Sequence, residues 1–462
     1  MMTSPTLSPI LRGFIVIGVA TAALQGCRTE SKPPSDSART ATASTNGCHG
    51  DNTGLTLPSG FCATIFADSI GHARHVVVAP DGDVYVNTWS GQYFGGDKGP
   101  AGGYLVVLRD TTHDGRADVV TRFGAKSDSG GHGGTGIALH DGALYAEENG
   151  AIVRYTLPAD GGAPTGRPTT IVSGLPLNGD HPMHPIAIDS SGTLYVDLGS
   201  ASNACQLVNR VPNSPGHKPC TELHTRGGIW AYDAGKTNQT FSPANRYATG
   251  IRNAVGIAID GNGQLWSTQH GRDQLAENWS KMYTPEQGQN LPAEELLQIE
   301  KGADFGWPTC YFDGDQQKLV LAPEYGGDGG KATASSDKTI DCGSKKAPAA
   351  FFPAHWAPDG LLFYTGSQFP ERYRNGAFIA FHGSWNRAPG PQGGYQVVFQ
   401  PLSSGKPSGQ FESFANGFAG GVMQPDAAKH RPVGLAEGPD GSLYITDDKA
   451  GRVWRVTYVG AK

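Results

Sequence analysis

One pattern recurs six times along the chain: an apolar or alternating strand, a two-residue turn containing glycine, and a second alternating strand. The turns are Asp81-Gly82, Asp141-Gly142, Ser191-Gly192, Asn262-Gly263, Asp359-Gly360 and Asp440-Gly441. Asp-Gly and Asn-Gly between apolar runs are strong hairpin signals, because these residues accept the positive φ that a tight hairpin turn needs. A two-stranded ribbon with one apolar face is not stable alone. The six units must therefore bury their faces against one another. Their spacing, roughly 50 to 100 residues, leaves room for four strands and connecting loops per unit but is too irregular for WD40 repeats.

Radial packing of six such units predicts an all-β fold, a six-bladed β-propeller of four-stranded antiparallel blades, over residues 48–462. Outer strands are expected at 104–108, 152–157, 228–231, 377–381, 395–399 and 452–459. The last of these completes a blade with residues near 61–66 and closes the ring. Two insertions break the rhythm. Residues 285–343 are expected to hold a short helix, 293–300, opened by Pro292, and residues 401–424 read as loop. The high glycine and proline content, 66 and 32 of 462 residues, fits many tight turns. A formal net charge of −6 with no long basic run excludes nucleic acid as a partner on charge grounds.

Residues 1–26 read as a lipoprotein signal peptide. Arg12 precedes an apolar run, 14–24, too short to span a bilayer, and the run ends in Leu24-Gln25-Gly26-Cys27. This resembles a bacterial lipobox, with Cys27 as the lipidated first residue; a plain secretory signal is the alternative. Residues 27–47, rich in Ser, Thr, Ala and Pro, are expected to be a disordered tether. The chain would then sit lipid-anchored on the periplasmic side of a bacterial membrane, the outer membrane, touching lipid through this anchor only. Setting Cys27 aside, six cysteines remain, an even number suited to disulfides in an exported chain. Fifteen pairings are possible; the sequential one, Cys48–Cys62, Cys205–Cys220 and Cys310–Cys342, closes local loops and is preferred.

Polar residues gather where inner strands begin. His132 lies in a glycine-rich run before the second unit, Asp180-His181 and His184 before the third, and Arg252-Asn253 before the fourth. His382 to Arg387 lies between the fifth and sixth, and Lys429-His430-Arg431 before the sixth. Loops leading into inner strands share one face of a propeller, so these clusters can converge. Arginines and lysines beside Trp385 suit a flat polyanionic ligand, and a histidine can take a proton from a hydroxyl.

These motifs carry a resemblance. Asp180-His181, Arg252-Asn253, Gln269-His270-Gly271-Arg272-Asp273, Asp304-Phe305-Gly306-Trp307-Pro308 and Arg431-Pro432-Val433-Gly434 resemble the soluble PQQ-dependent sugar dehydrogenases. The likeness is to the glucose/sorbosone dehydrogenase family and its pyranose dehydrogenase relatives, over most of residues 60–460. The resemblance implies a quinoprotein that binds PQQ and Ca2+ and oxidises an aldose or sorbosone-like sugar. Hydride would pass to the quinone, and electrons to an external acceptor, a cytochrome or a quinone. It implies His181 as base and Arg252 as the group polarising the quinone oxygen, with Asn253 adding a hydrogen bond. The backbone carbonyls of Gly271 and Arg272 would ligate calcium. Lys429 and Arg431 would hold cofactor carboxylates. Lys429 stands where glucose dehydrogenases tend to have arginine, and Trp385 and Arg387 occupy the neighbourhood of a lysine those enzymes supply. Both departures bear on glucose as the substrate.

A separate signal is Asp110, Thr112, Asp114, Arg116 and Asp118, at EF-like offsets with Gly115 sixth, which suggests a second calcium loop; its twelfth position is Thr121 rather than glutamate. The alternatives to a dehydrogenase are a calcium-dependent propeller lactonase or other hydrolase, and a non-catalytic propeller acting as a binding module.

Overall fold

The structure, a computed structural model, describes residues 52–89, 99–127, 131–387 and 390–460. The signal peptide, the tether with Cys27, and Cys48 lie outside the described residues, and with Cys48 so does the expected Cys48–Cys62 bridge. Five of the six turns form as hairpins. Gly82, Gly142, Gly192, Gly263 and Gly441 all have positive φ, between 70° and 92°. Around Gly82, Gly142 and Gly263 there is open space, so glycine is required there by backbone conformation and not by crowding. An aspartate beside several of these turns holds them: Asp189 Oδ1 accepts from the amides of Ser191 and Thr193, and Asp260 Oδ1 from those of Asn262 and Gln264.

Each hairpin is the inner part of a sheet, and six such sheets form a propeller; four have four antiparallel strands and two have a fifth, which in blade 2 is Gln239–Thr240, parallel to Thr169–Ser173. Blade 1 runs Ala73–Val78, Val84–Thr88, Leu105–Arg109 and Val119–Phe123; blade 3 runs Ile186–Ile188, Thr193–Leu198, Gly228–Asp233 and Arg246–Thr249. Strands of blade 1 show why the fold is radial. Leu105 and Val107 point into the cluster shared with blade 2, while Val106 and Leu108 point into the cluster shared with blade 6. The strand is buried on both faces, so it is apolar throughout instead of alternating. One such cluster lies between every pair of neighbouring blades. The ring closes as the N-terminal strand Phe61–Ala67 pairs antiparallel with Val453–Tyr458, Phe61 opposite Tyr458.

Three local expectations are corrected. Asp359-Gly360 is not a turn but lies inside the inner strand Pro358–Phe363 of blade 5, at a register shift. A Cβ on Gly360 would meet the Val433 carbonyl oxygen at 2.0 Å, so this glycine permits blade 5 to approach blade 6. Residues 294–298 form the strand Glu294–Gln298 rather than a helix, paired with Trp266 to Gln269 in blade 4. Its Glu and Leu composition favours helix, but the vacant third place of the blade decides. The helix of this insertion is Pro285–Asn290, opened by a Thr284–Gln287 capping box. Residues 401–424 are not all loop: strand Gln396–Ser403 runs into them, and Glu412–Ala415 forms the outer strand of blade 5. Cys205–Cys220 and Cys310–Cys342 are disulfides.

Candidate active site

The loops entering the inner strands converge on a cleft of about 220 Å³. His181, Arg252, Asn253, Gly271, Trp385 and Arg431 all line it. They come from segments up to 250 residues apart (Arg431 minus His181), and the propeller brings them to one face.

His181 is buried. Its Nδ1 is 2.9 Å from both the carbonyl and the hydroxyl oxygen of Ser200. A carbonyl only accepts, so Nδ1 carries the proton and Nε2 keeps its lone pair. The Ser200 hydroxyl donates onward to the Ser202 carbonyl at 2.7 Å, which leaves its oxygen free to accept. Burial, and then the charge of Arg252, push the His181 pKa well below the ordinary value. The imidazole is therefore a neutral base at physiological pH.

Arg252 is 2% exposed, and four of its five N–H donors are hydrogen-bonded within the protein. Its Nε donates to Asn203 O at 3.0 Å, Nη1 to Gly271 O at 3.0 Å, and Nη2 to Asn203 Oδ1 at 3.0 Å and Asp273 Oδ2 at 2.8 Å. Burial opposes ionisation of Asp273, but Arg252 and Arg210 outweigh it and hold that carboxyl below its usual range. Asn253 is buried too, and its Oδ1 has no hydrogen-bond partner. Gly271 is oriented by its own amide, which donates to Glu294 Oε2 at 2.8 Å. Its carbonyl has two lone pairs, of which Arg252 occupies one.

Arg431 donates only to neutral carbonyls, His382 O at 3.1 Å and Gly383 O at 2.7 Å, and lies over the Tyr395 ring. Among the described residues it has no ion-pair partner, so its charge is open to an anion in the cleft. Trp385 is 54% exposed at the rim.

Other expected residues lie elsewhere. Arg387 turns away: it donates to Ala354 O at 2.8 Å and Gln289 O at 3.2 Å and lines a separate groove. Lys429 is exposed and is not among the residues lining the cleft. The Arg272 side chain leaves the cleft to pair with buried Glu324. His184 is held by Glu147 at 2.6 Å and donates to Pro176 O, a structural arrangement. His132 sits 6.1 Å from the Trp89 ring, outside the cleft lining. Trp307 packs on the Cys205–Cys220 disulfide and donates to Asn203 O at 3.1 Å. In the Asp110 loop, both oxygens of Asp110 accept from amides of Asp114 and Gly115, and Asp118 accepts from Thr111. Asp114 accepts from the Arg116 amide. The carboxylates close the loop on itself.

The sequence reading named His270 and His382 but missed the charged groups that hold them. Arg74, 1% exposed, pairs with Asp448 at 2.6 Å and Asp359 at 3.4 Å. Asp359 pairs with His270 at 3.0 Å, and His382 bonds Asp448 at 2.8 Å. Arg74, Asp359, His270 and His382 line the cleft, as do Arg210, Asp180, Asp273 and Glu294. The available signal was Arg74 itself, a lone charge in the apolar inner strand Ala73–Val78. Asp359 was concealed because it read as a turn residue.

A TrAA12-like family model matches residues 55–459. The calcium structure of the Trichoderma reesei carbohydrate-active enzyme of family AA12 aligns with a TM-score of 0.67 at 21% identity, covering 89% of this chain and 100% of that one. The holo form of the pyranose dehydrogenase PQQ domain from Coprinopsis cinerea aligns with a TM-score of 0.66 at 19% identity, covering 87% and 97%. At these identities the likeness is one of fold. In sequence, a pyrroloquinoline quinone-dependent pyranose dehydrogenase from Coprinopsis cinerea is 28% identical over 236 residues, 44% of this chain and 30% of that protein. An uncharacterized protein from Borreliella burgdorferi is 32% identical over 216 residues, 46% of this chain and 48% of that protein. The matches thus span less than half of the length of these curated relatives.

Proposed function

The chain belongs to the TrAA12-like family, and from that premise we propose that it is a PQQ- and calcium-dependent dehydrogenase that oxidises a sugar, an aldose or sorbosone-like substrate. The observation that carries this reading is a neutral histidine base, His181, in the same cleft as the buried cation Arg252.

The residues present fit the group. Asn253 lines the cleft and keeps a buried, unpartnered amide oxygen, and Arg431 lines it with a guanidinium that has no ion-pair partner among the described residues. Gly271 offers a hard oxygen with one lone pair left. Arg252, Asn253 and Arg431 would hold PQQ, and the Gly271 carbonyl, with that of Arg272, would hold calcium. When bound, PQQ supplies the two-electron acceptor and calcium a Lewis acid. His181 Nε2 takes the proton of the sugar hydroxyl, while Nδ1 stays fixed on Ser200. Arg252, held by four hydrogen bonds, presents a preset positive charge to the reacting oxygen. Trp385 at the rim flanks the arriving ring. Electrons leave to an external acceptor, a cytochrome or quinone. The lipobox-like Leu24 to Cys27 supports placing the enzyme, lipid-anchored, on the periplasmic side of the membrane.

Reconstitution tests the reading. Purified chain given PQQ and calcium should reduce an electron-accepting dye when sugars are added, and should not do so without PQQ. Lactone hydrolysis with calcium alone, or no activity after full loading, would contradict it.

A further inference from the structure

We propose that Asn203 is a positioning residue that locks Arg252 to the Gly271–Asp273 segment. Resting on the reading of Arg252 as the cofactor-facing cation, it adds a role for a residue that touches neither cofactor nor sugar in that reading. Asn203 has no exposed surface. Its Oδ1 accepts from Arg252 Nη2 at 3.0 Å and from the Asp273 amide at 2.8 Å. Its Nδ2 donates to the Asp273 carbonyl at 2.9 Å, and its own carbonyl accepts from Arg252 Nε at 3.0 Å. The amide side chain therefore grips both backbone groups of Asp273 and Nη2 of the guanidinium, while the backbone carbonyl of the same residue holds Nε.

Asn203 is itself held on three sides. Its backbone amide donates to Asn209 Oδ1 at 3.0 Å, its carbonyl accepts from Trp307 Nε1, and two residues on Cys205 is tied to Cys220. The Cys205 amide donates to Ser202 Oγ at 2.9 Å, next in the chain to Asn203. The disulfide loop thereby fixes the residue that fixes the arginine. An arginine held by charge-assisted bonds on a rigid loop is preorganised, whereas one free to swing is not.

The test is chemical labelling of Arg252 by phenylglyoxal in the cofactor-free full chain, read by peptide mass spectrometry. It is run on wild type, Asn203→Ala and the milder Asn203→Ser, whose hydroxyl is too short to bridge both partners. Arg74, equally buried but bonded to Asp448 and Asp359, is the internal control. Loss of the Asn203 side-chain bonds, with the backbone bond to Nε kept, is expected to label Arg252 about tenfold faster in both variants with Arg74 unchanged. Unchanged labelling of Arg252, or equal acceleration at Arg74, overturns the proposal. In parallel, PQQ affinity of the folded variants should fall about tenfold. Faster labelling with unaltered PQQ affinity would retain the lock and overturn instead the cofactor-facing role of Arg252.

Discussion

His181 and Arg252 are joined through a single residue: the Ser200 carbonyl accepts the Nδ1 proton of His181 at 2.9 Å, and the Ser200 amide donates to the Arg252 carbonyl at 2.7 Å. The base and the cation are thus set on neighbouring loops with a fixed relation. This brings two residues 71 positions apart (252 minus 181) to one cleft. Arg226 reinforces the link by donating to the Gly199 carbonyl at 3.3 Å and to Asn178.

Replacing His181 by alanine removes the proton acceptor without touching the arginines. The turnover of the reconstituted enzyme should fall by about 10²–10⁴-fold, the range for a positioned general base. Affinity for PQQ should change little, because His181 carries no charge to hold it. Steady-state kinetics and a binding titration on the same preparation check both parts.

Arg431 and Lys429 should separate cleanly. Arg431→Ala removes a guanidinium that has no carboxylate partner among the described residues, and should weaken PQQ binding by about 10- to 100-fold, the worth of a charge-assisted hydrogen bond. Lys429→Ala and Arg387→Ala should leave it unchanged, because one side chain is exposed off the cleft and the other bonds backbone carbonyls elsewhere. Calorimetric titration of the three variants reads this.

These contrasts show what was legible in sequence. The hairpins at Gly82, Gly142, Gly192, Gly263 and Gly441 announced themselves because positive φ selects glycine. The entrance motifs at His181, Arg252 and Arg431 were legible because polar residues interrupt apolar strands there. Asp359 and Glu294 were not, since each follows local propensity for turn or helix while tertiary pairing places it in a strand. Nor was Asn203, whose worth lies only in the partners that the fold brings to it. Arg387 and Lys429 do not line the cleft, because a loop's neighbourhood does not fix the direction of its side chains.

Stability should fall in acid below pH 6.5. Burial pushes the His75 pKa down to about 4, although its ring nitrogen bonds the Asp359 carbonyl. Between pH 6.5 and about 4 the unfolded chain takes up a proton that the folded chain refuses, so unfolding gains. His181, shifted in the same direction, adds to the effect. Melting temperatures of wild type and His75→Gln across this window should converge as pH drops, because only wild type loses the His75 contribution.

Asp197 gives the opposite window. Buried with Oδ1 unpartnered, it has a pKa pushed up to about 8 by burial. The folded chain therefore holds its proton from pH 3.8 to about 8 while the unfolded chain loses it, and stability declines as pH rises through that range. Asp197→Asn cannot ionise. Its melting temperature should rise relative to wild type at pH 8–9, by the equivalent of on the order of 1–3 kcal/mol, and the difference should shrink towards pH 4.

The most direct measurement is a titration of calcium-loaded, cofactor-free protein with PQQ, followed through the quinone absorbance and then challenged with an aldose. The account predicts saturable binding of one equivalent and a quinone band that bleaches on adding sugar in wild type but persists in His181→Ala. Absence of saturable binding, or bleaching at the same rate in the variant, would contradict it.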